Sequence, residues 1–257
     1  KTLIIWLTRK NGGEKQMKIL CIGNSFSQDA TRYLSRIGKA AGTGIKTVNL
    51  YIGGCPLKTH YFNVLEDQPA YAFEFNGENT GIKVSIKSAL MSDEWDVVTL
   101  QQVSHQAPRY NTYQPYLNEL AAYVRKYAPH TKIYMHQTWA YEDGSDRLCK
   151  ELGYKKSTEM LEDIKASYLT AAHDINAAGI IPSGEAMMKA LENGIGKVHR
   201  DTFHASLGAG RYLLGLTWYA YLTGNGVNTI PDIELDEQIS AEQIEIIKRS
   251  VEQTVKR

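Results

Sequence analysis

The 257-residue chain is long enough to bury one sizeable core, and its 43% hydrophobic and 22% charged residues are the balance of an ordinary globular domain. With 29 Lys and Arg against 28 Asp and Glu, the net charge of +1 gives no electrostatic reason to expect nucleic acid or an anionic membrane as partner. Three widely spaced cysteines, Cys21, Cys55 and Cys149, give no disulfide framework or zinc knuckle, and no stretch reaches the roughly 18 apolar residues of a membrane span.

The chain begins without Met, and its first apolar run, residues 3–7, is too short for a signal-peptide core. Codons for Gly12-Gly13-Glu14-Lys15 can be purine-rich, like a ribosome-binding site. Residues 1–16 therefore read as a gene-calling extension, with translation starting at Met17. That start makes the cytoplasm the default compartment and leaves export through a signal further upstream open.

From Met17 onward, strand-like and helix-like segments alternate. A buried strand is expected over 17–22, a helix over 31–41 stopped by Gly42, and a second strand over 46–52 running into Gly53-Gly54. Residues 60–91 break the alternation. Phe73-Glu74-Phe75 before Asn76-Gly77 predicts a hairpin insertion. A third strand is expected over 95–100, an amphipathic helix over 116–127, a fourth strand over 132–136 and a long helix over 158–178. A short fifth strand at 180–182 precedes a helix over 184–191 and another over 207–222, with Ser206 as candidate N-cap. An amphipathic helix closes the chain over 240–257. Strands separated by helices imply βαβ units and a parallel sheet covered on both faces, and residues 17–257 read as one domain.

In such a sheet the site lies beyond the carboxyl ends of the strands, so the residues following each strand are the functional candidates. After the first strand, Gly23-Asn24-Ser25 can hold a serine hydroxyl clear of the sheet, although a serine there can equally be a helix cap. After the second, Gly53-Gly54 lets backbone N–H groups approach a ligand, as an oxyanion hole needs, or forms an ordinary turn. After the third come Gln101, Gln102 and His105, potential amide donors and an acid or base. Trp139 follows the fourth and could stack on a sugar or simply pack. Glu185 reads as a helix-start carboxylate. Asp201-Thr202-Phe203-His204 places a carboxylate where it can fix an imidazole tautomer. The spacing of His60, His136 and His199 requires no metal.

Together these blocks resemble the SGNH, or GDSL-like, hydrolase superfamily. Gly23-Asn24-Ser25-Phe26-Ser27 is similar to its nucleophile block, with Asn24 where many members carry Asp; Gly53 or Gly54 matches its second block, and Asp201-Thr202-Phe203-His204 matches its Asp-x-x-His block. The segment 95–105 resembles the third block but lacks its oxyanion-hole Asn, for which Gln101, Gln102 and His105 are the available substitutes. The departure points to a divergent branch, close to bacterial proteins of undefined function and distantly to carbohydrate acetylesterases.

The resemblance implies a flavodoxin-like, three-layer α/β/α sandwich with a central parallel sheet of about five strands. It implies an esterase with Ser25 as nucleophile and His204 and Asp201 in support. Gly53, Gly54 and a Gln would form the oxyanion hole; Asn24, His105 and Trp139 would meet substrate. No metal or organic cofactor is needed, and the partner is a small-molecule or carbohydrate ester. The insertion 60–91, with Tyr61, Phe62, Tyr71, Phe73 and Phe75, is expected over or beside the cleft. Three alternatives remain: a weak or inactive carbohydrate-binding domain, a lipase or thioesterase of the same superfamily, and a flavodoxin-like nucleotide binder. The last lacks both glycine-rich phosphate patterns.

Overall fold

In the computed structural model, which describes residues 16–255, one seven-stranded sheet runs through the molecule in the order β4-β3-β2-β1-β5-β6-β7. The reading of residues 1–16 as an upstream extension concerns a segment that, Gln16 apart, lies outside the described residues. Five strands are parallel: β1 (Met17–Gly23), β2 (Ile45–Tyr51), β5 (Val97–Leu100), β6 (Lys132–His136) and β7 (Gly179–Ile181). These are the five strands expected from the sequence, each within two residues of the expected bounds. The count of about five is corrected to seven because the insertion pairs with the sheet. β3 (Tyr71–Phe75) lies antiparallel on β2, and β4 (Glu78–Val84) forms the edge.

β1 is central, and Ile19, Leu20, Cys21 and Ile22 are all essentially inaccessible, as a strand covered on both faces requires. On one side pack α1 (Ser25–Thr31), α2 (Leu34–Ala40), α7 (Ser183–Glu192), α8 (Ala209–Thr223) and α9 (Ala241–Thr254). On the other pack α3 (Leu57–Leu65), α4 (Ile86–Leu90), α5 (Tyr116–Tyr127) and α6 (Ser157–Asp174). The first crossover leads from β1 outward to β2, and the later ones run the opposite way through β5 and β6. This reversal beside β1 is the topological switch point, where an open α/β sheet opens a crevice. No helix among the described residues is long and apolar enough to cross a membrane.

Local chemistry accounts for the boundary differences. The helix expected over 31–41 is two: α1 starts at Ser25 because Asn24 caps it, its side chain accepting from the Phe26 N–H at 3.0 Å. Ser206 is not the cap residue of α8, which is Gly208; its hydroxyl still accepts from the Gly210 N–H at 2.8 Å, in the first turn of the helix. Ser240 caps α9, accepting from the Gln243 N–H.

The insertion does not roof the cleft. Tyr71 is fully buried, with its hydroxyl 2.9 Å from His60 Nδ1, while Phe62 and Phe75 are exposed to solvent. The Asn76-Gly77 turn joins β3 to β4, so the hairpin widens the sheet. None of its aromatic side chains lines the crevice that holds Ser25.

Candidate active site

Ser25 opens α1 directly after β1, and the loop 199–205 brings His204 over it from the far end of the chain. Asp201 Oδ2 lies 2.8 Å from His204 Nδ1, and His204 Nε2 lies 2.9 Å from Ser25 Oγ. A carboxylate only accepts, so Nδ1 carries the proton and donates to Asp201; Nε2 is then an acceptor, and the Ser25 hydroxyl donates to it. Asp201 Oδ1 also accepts from the His204 backbone N–H at 2.9 Å. Burial alone would raise the Asp201 carboxyl, but the side-chain and backbone hydrogen bonds from His204 outweigh it and hold it below the usual carboxylate range.

The loop is tied down on every side. His199 and Ala205 form a bridge, and the Arg200 N–H donates to the His204 carbonyl at 2.9 Å. The Glu142 N–H donates to the Thr202 carbonyl at 2.7 Å, and Trp139 Nε1–H to the Phe203 carbonyl at 2.7 Å. Thr202 takes a positive φ of 75°, a strained conformation for a β-branched residue that these bonds sustain.

The cleft beside Ser25 has a volume of about 280 Å³. Tyr51, Tyr141 and Phe203 wall it, Gly53 and Gly54 form one lip, and His105 and Arg147 the other. Gly54 sits in the turn closed by the Cys55 N–H on the Ile52 carbonyl at 3.3 Å and takes a φ of 62°, which favours glycine. His105 is lowered by partial burial and by the positive charges of Arg109 and Arg147.

The model of the DUF4886 family, a domain of unknown function, matches residues 18–251. The chain belongs to the DUF4886 family. A DUF4886 family protein from Bacteroides uniformis ATCC 8492, of known crystal structure, is 34% identical with a TM-score of 0.85, covering 93% of this chain and 94% of that one. A candidate SGNH hydrolase from Slackia heliotrinireducens superposes with a TM-score of 0.56 at 22% identity, covering 79% of this chain and 96% of that one. An acetyl xylan esterase superposes with a TM-score of 0.51 at 16% identity over 79% and 98% of the two chains. At these identities the last two show the fold, which is that of SGNH-like hydrolases. No curated protein matches the chain in sequence.

Within this DUF4886 chain, several expected site residues sit elsewhere than the sequence suggests. Gln102 is fully buried and fully engaged: its Oε1 accepts from the Leu57 and Val103 N–H groups at 3.0 and 2.9 Å, and its Nε2 donates to the Thr112 carbonyl and hydroxyl, both at 3.1 Å. Gln101 is equally committed, donating to Asn24 Oδ1 at 2.8 Å and accepting from His136 Nδ1 at 2.7 Å. Neither amide is free to stabilise an oxyanion. Asn24 borders the cleft but is 1% exposed; it caps α1 and donates to the Cys55 carbonyl at 3.1 Å, so its side chain is engaged as a scaffold for the Ser25 turn.

Trp139 is 0% exposed and stacks on Phe26 with ring centroids 4.0 Å apart. A sugar cannot reach it; its part is to press on the residue after Ser25 and hold the Phe203 carbonyl. Glu185 and Gln137 bond reciprocally, Nε2 to Oε2 and Glu185 N–H to Oε1, each at 3.2 Å. His60, His136 and His199 are dispersed, bonded to Tyr71, Gln101 and the Ala140 carbonyl respectively. Among the described residues no cluster of metal-ligating side chains forms.

Two residues of the site escaped sequence reasoning. Asp29, one turn after Ser25 on α1, is fully buried and grips the loop that carries His204. Its spacing of four from Ser25 was visible, but its partners lie more than 170 residues away. Arg147 comes from the stretch between β6 and α6, which shows no helix or strand periodicity and carried no cue.

Proposed function

We propose that the chain is a serine hydrolase of small acyl esters. The observation that carries this reading is the continuous hydrogen-bonded series from Asp201 through His204 to Ser25, at 2.8 and 2.9 Å, opening into a cleft. A serine hydroxyl is a weak nucleophile until an adjacent base takes its proton, and a base held in one tautomer by a carboxylate is that partner.

In the proposed mechanism the Ser25 hydroxyl attacks the ester carbonyl while its proton passes to His204 Nε2. Asp201 keeps the imidazole in the right tautomer and stabilises the imidazolium. The oxyanion is held by backbone N–H groups, those of Ser25 and of Gly54, whose turn faces the same cleft. With Gln101 and Gln102 committed to the scaffold, no side-chain amide from the end of β5 joins them, and Ser104 and His105 are the polar residues of that segment that line the cleft. His204 returns the proton to the leaving alcohol. Water, activated in the same way, then releases the acid from Ser25.

Labelling by a fluorophosphonate probe, followed by turnover of p-nitrophenyl acetate, tests the reading. Wild type should be labelled at Ser25 and should cleave the ester, and Ser25→Ala should do neither. A folded wild-type chain that is not labelled would end the hydrolase reading in favour of a binding domain.

A further inference from the structure

Arg147 is the residue of the cleft that the mechanism leaves unused. It lines the same cleft as Ser25 and His204. Its guanidinium lies 4.1 Å from the Phe203 ring centroid, and that ring lies 3.9 Å from the imidazole of His204. Phe203 contacts both groups, so the cation is held in place near the catalytic base. The turn that carries it, Arg147–Glu151, is anchored by the fully buried Leu148. Among the described residues Arg147 has no hydrogen-bonded or ion-paired carboxylate. Glu151, one turn on, makes no ion pair with it and offsets only part of its field at His105 and Tyr141. Arg109 adds a second positive charge, and the two arginines add to the burial that depresses His105. No carboxylate lines the cleft itself.

A planar cation stacked on an aromatic ring, with its N–H donors free, is suited to a carboxylate. Its side of the cleft follows from the mechanism. His204 must hand its proton to the leaving oxygen, so groups packed against the imidazole ring border the alcohol part of the ester and not the acyl part. We infer that Arg147 selects esters whose alcohol part carries a carboxylate, that is, short-chain acyl esters of hydroxy acids. This rests on the hydrolase reading for the side of the cleft, but not for the binding of the anion.

The test compares 4-acetoxybenzoate with its neutral methyl ester, in wild type, Arg147→Gln and Arg147→Lys. Wild type should favour the carboxylate in kcat/KM by about tenfold, the range open to one partly exposed charge-assisted pair. The preference should shrink with added salt, vanish in Arg147→Gln and return in part in Arg147→Lys. The neutral ester is the internal reference, so a general loss of activity leaves the ratio interpretable. An equal ratio in wild type and Arg147→Gln overturns the inference.

Calorimetry on Ser25→Ala, which does not depend on turnover, is the second measurement. 4-Acetoxybenzoate should bind about tenfold more tightly than its methyl ester, and adding Arg147→Gln should abolish the difference. Equal affinities overturn the inference even if esters are cleaved. Failure of the wild type to cleave the neutral ester tells against the hydrolase reading alone, because the calorimetry still decides the anion site.

Discussion

The carboxylate of Asp29, fully buried on α1, accepts the backbone N–H of Ala205 at 3.1 Å, so the helix that opens with Ser25 directly holds the residue after His204. The same carboxylate takes both oxygens to Arg200 Nη1, at 2.9 and 3.0 Å, and accepts from Arg211 Nε at 2.8 Å. Arg200 precedes Asp201, so Asp29 clamps both ends of the segment that carries the Asp and the His. The Ser25–His204 distance is therefore set through one buried charge network.

Replacing Asp29 by Asn keeps the shape but removes the charge from two partly buried arginines. Breaking a buried ion pair from one side costs about 3 kcal/mol, and denaturant unfolding should register a loss of that size. The loosened loop should also lower kcat at least tenfold with little change in KM, because the reacting groups lose alignment while the cleft walls stay. A variant that unfolds more easily yet keeps the wild-type kcat would show that Asp29 serves stability alone.

The two glutamines after β5 should separate cleanly. Gln102→Ala leaves the Leu57 and Val103 N–H groups buried without their acceptor, a cost of about 1–3 kcal/mol each in such settings. Its kcat should match wild type, since Gln102 lies outside the cleft. Gln101→Ala releases Asn24, the cap that shapes the Ser25 turn, and should lower kcat. Both variants are checked by thermal unfolding and p-nitrophenyl acetate turnover side by side. A kcat loss confined to Gln102→Ala would reverse this assignment.

How much of this was legible in the sequence depends on the range of the interactions. β1, β6 and the helix N-capped by Ser240 were readable because apolar runs and caps are local features. Asp201 and His204 were readable as a pair because three residues separate them, and Ser25 because it follows a strand. The hairpin was also visible from Asn76-Gly77, but its place on the edge of β2 was not, since strand pairing is a long-range choice. The burial of Trp139 and the commitment of Gln101 and Gln102 were hidden for the same reason. An amide at a strand end looks alike in sequence whether it faces a cleft or bonds to Asn24, His136 or Thr112.

Two buried histidines predict how stability responds to acid. Burial pushes both His60 and His136 down to about 3, and the Nε2 of each is buried without a hydrogen-bond partner among the described residues. In the unfolded chain a histidine titrates near 6.5, so between about pH 6.5 and 3 the unfolded state binds protons that the native state refuses. The stability is fully present above the unfolded value and is lost as pH falls towards the folded one. Each histidine steepens that loss by up to about 1.4 kcal/mol per pH unit. Denaturant midpoints from pH 8 to pH 5, above most carboxylate titrations, should therefore fall with decreasing pH. His136→Leu should flatten the slope by one proton, whatever it does to the absolute stability. A flat profile from pH 7 to pH 5 in wild type would show that these rings admit protons while folded.

The size of the cleft sets the acyl preference. At about 280 Å³ it lies at the lower edge of the range for small-molecule sites, roughly 300–1,000 Å³. Tyr51, Tyr141 and Phe203 wall it, and other contacts fix the last two of these rings. Tyr141 is nearly fully buried with its hydroxyl 2.9 Å from Ser104 Oγ, and Phe203 is packed against His204 and Arg147. An acetyl group fits beside Ser25 without moving them. An octanoyl chain must either displace a ring or leave its methylenes in water, where each forgoes about 0.8 kcal/mol of burial. Across p-nitrophenyl esters from acetyl to octanoyl, kcat/KM should therefore fall by at least 100-fold. The fall should lie in kcat as well as KM, because a chain that cannot seat also holds its carbonyl away from the Ser25 and Gly54 N–H groups. Tyr141→Ala, which opens the wall, should raise octanoyl turnover relative to acetyl. An enzyme that cleaves octanoyl esters faster than acetyl esters would mean that the tyrosines move aside on binding, and would assign the site to longer acyl chains.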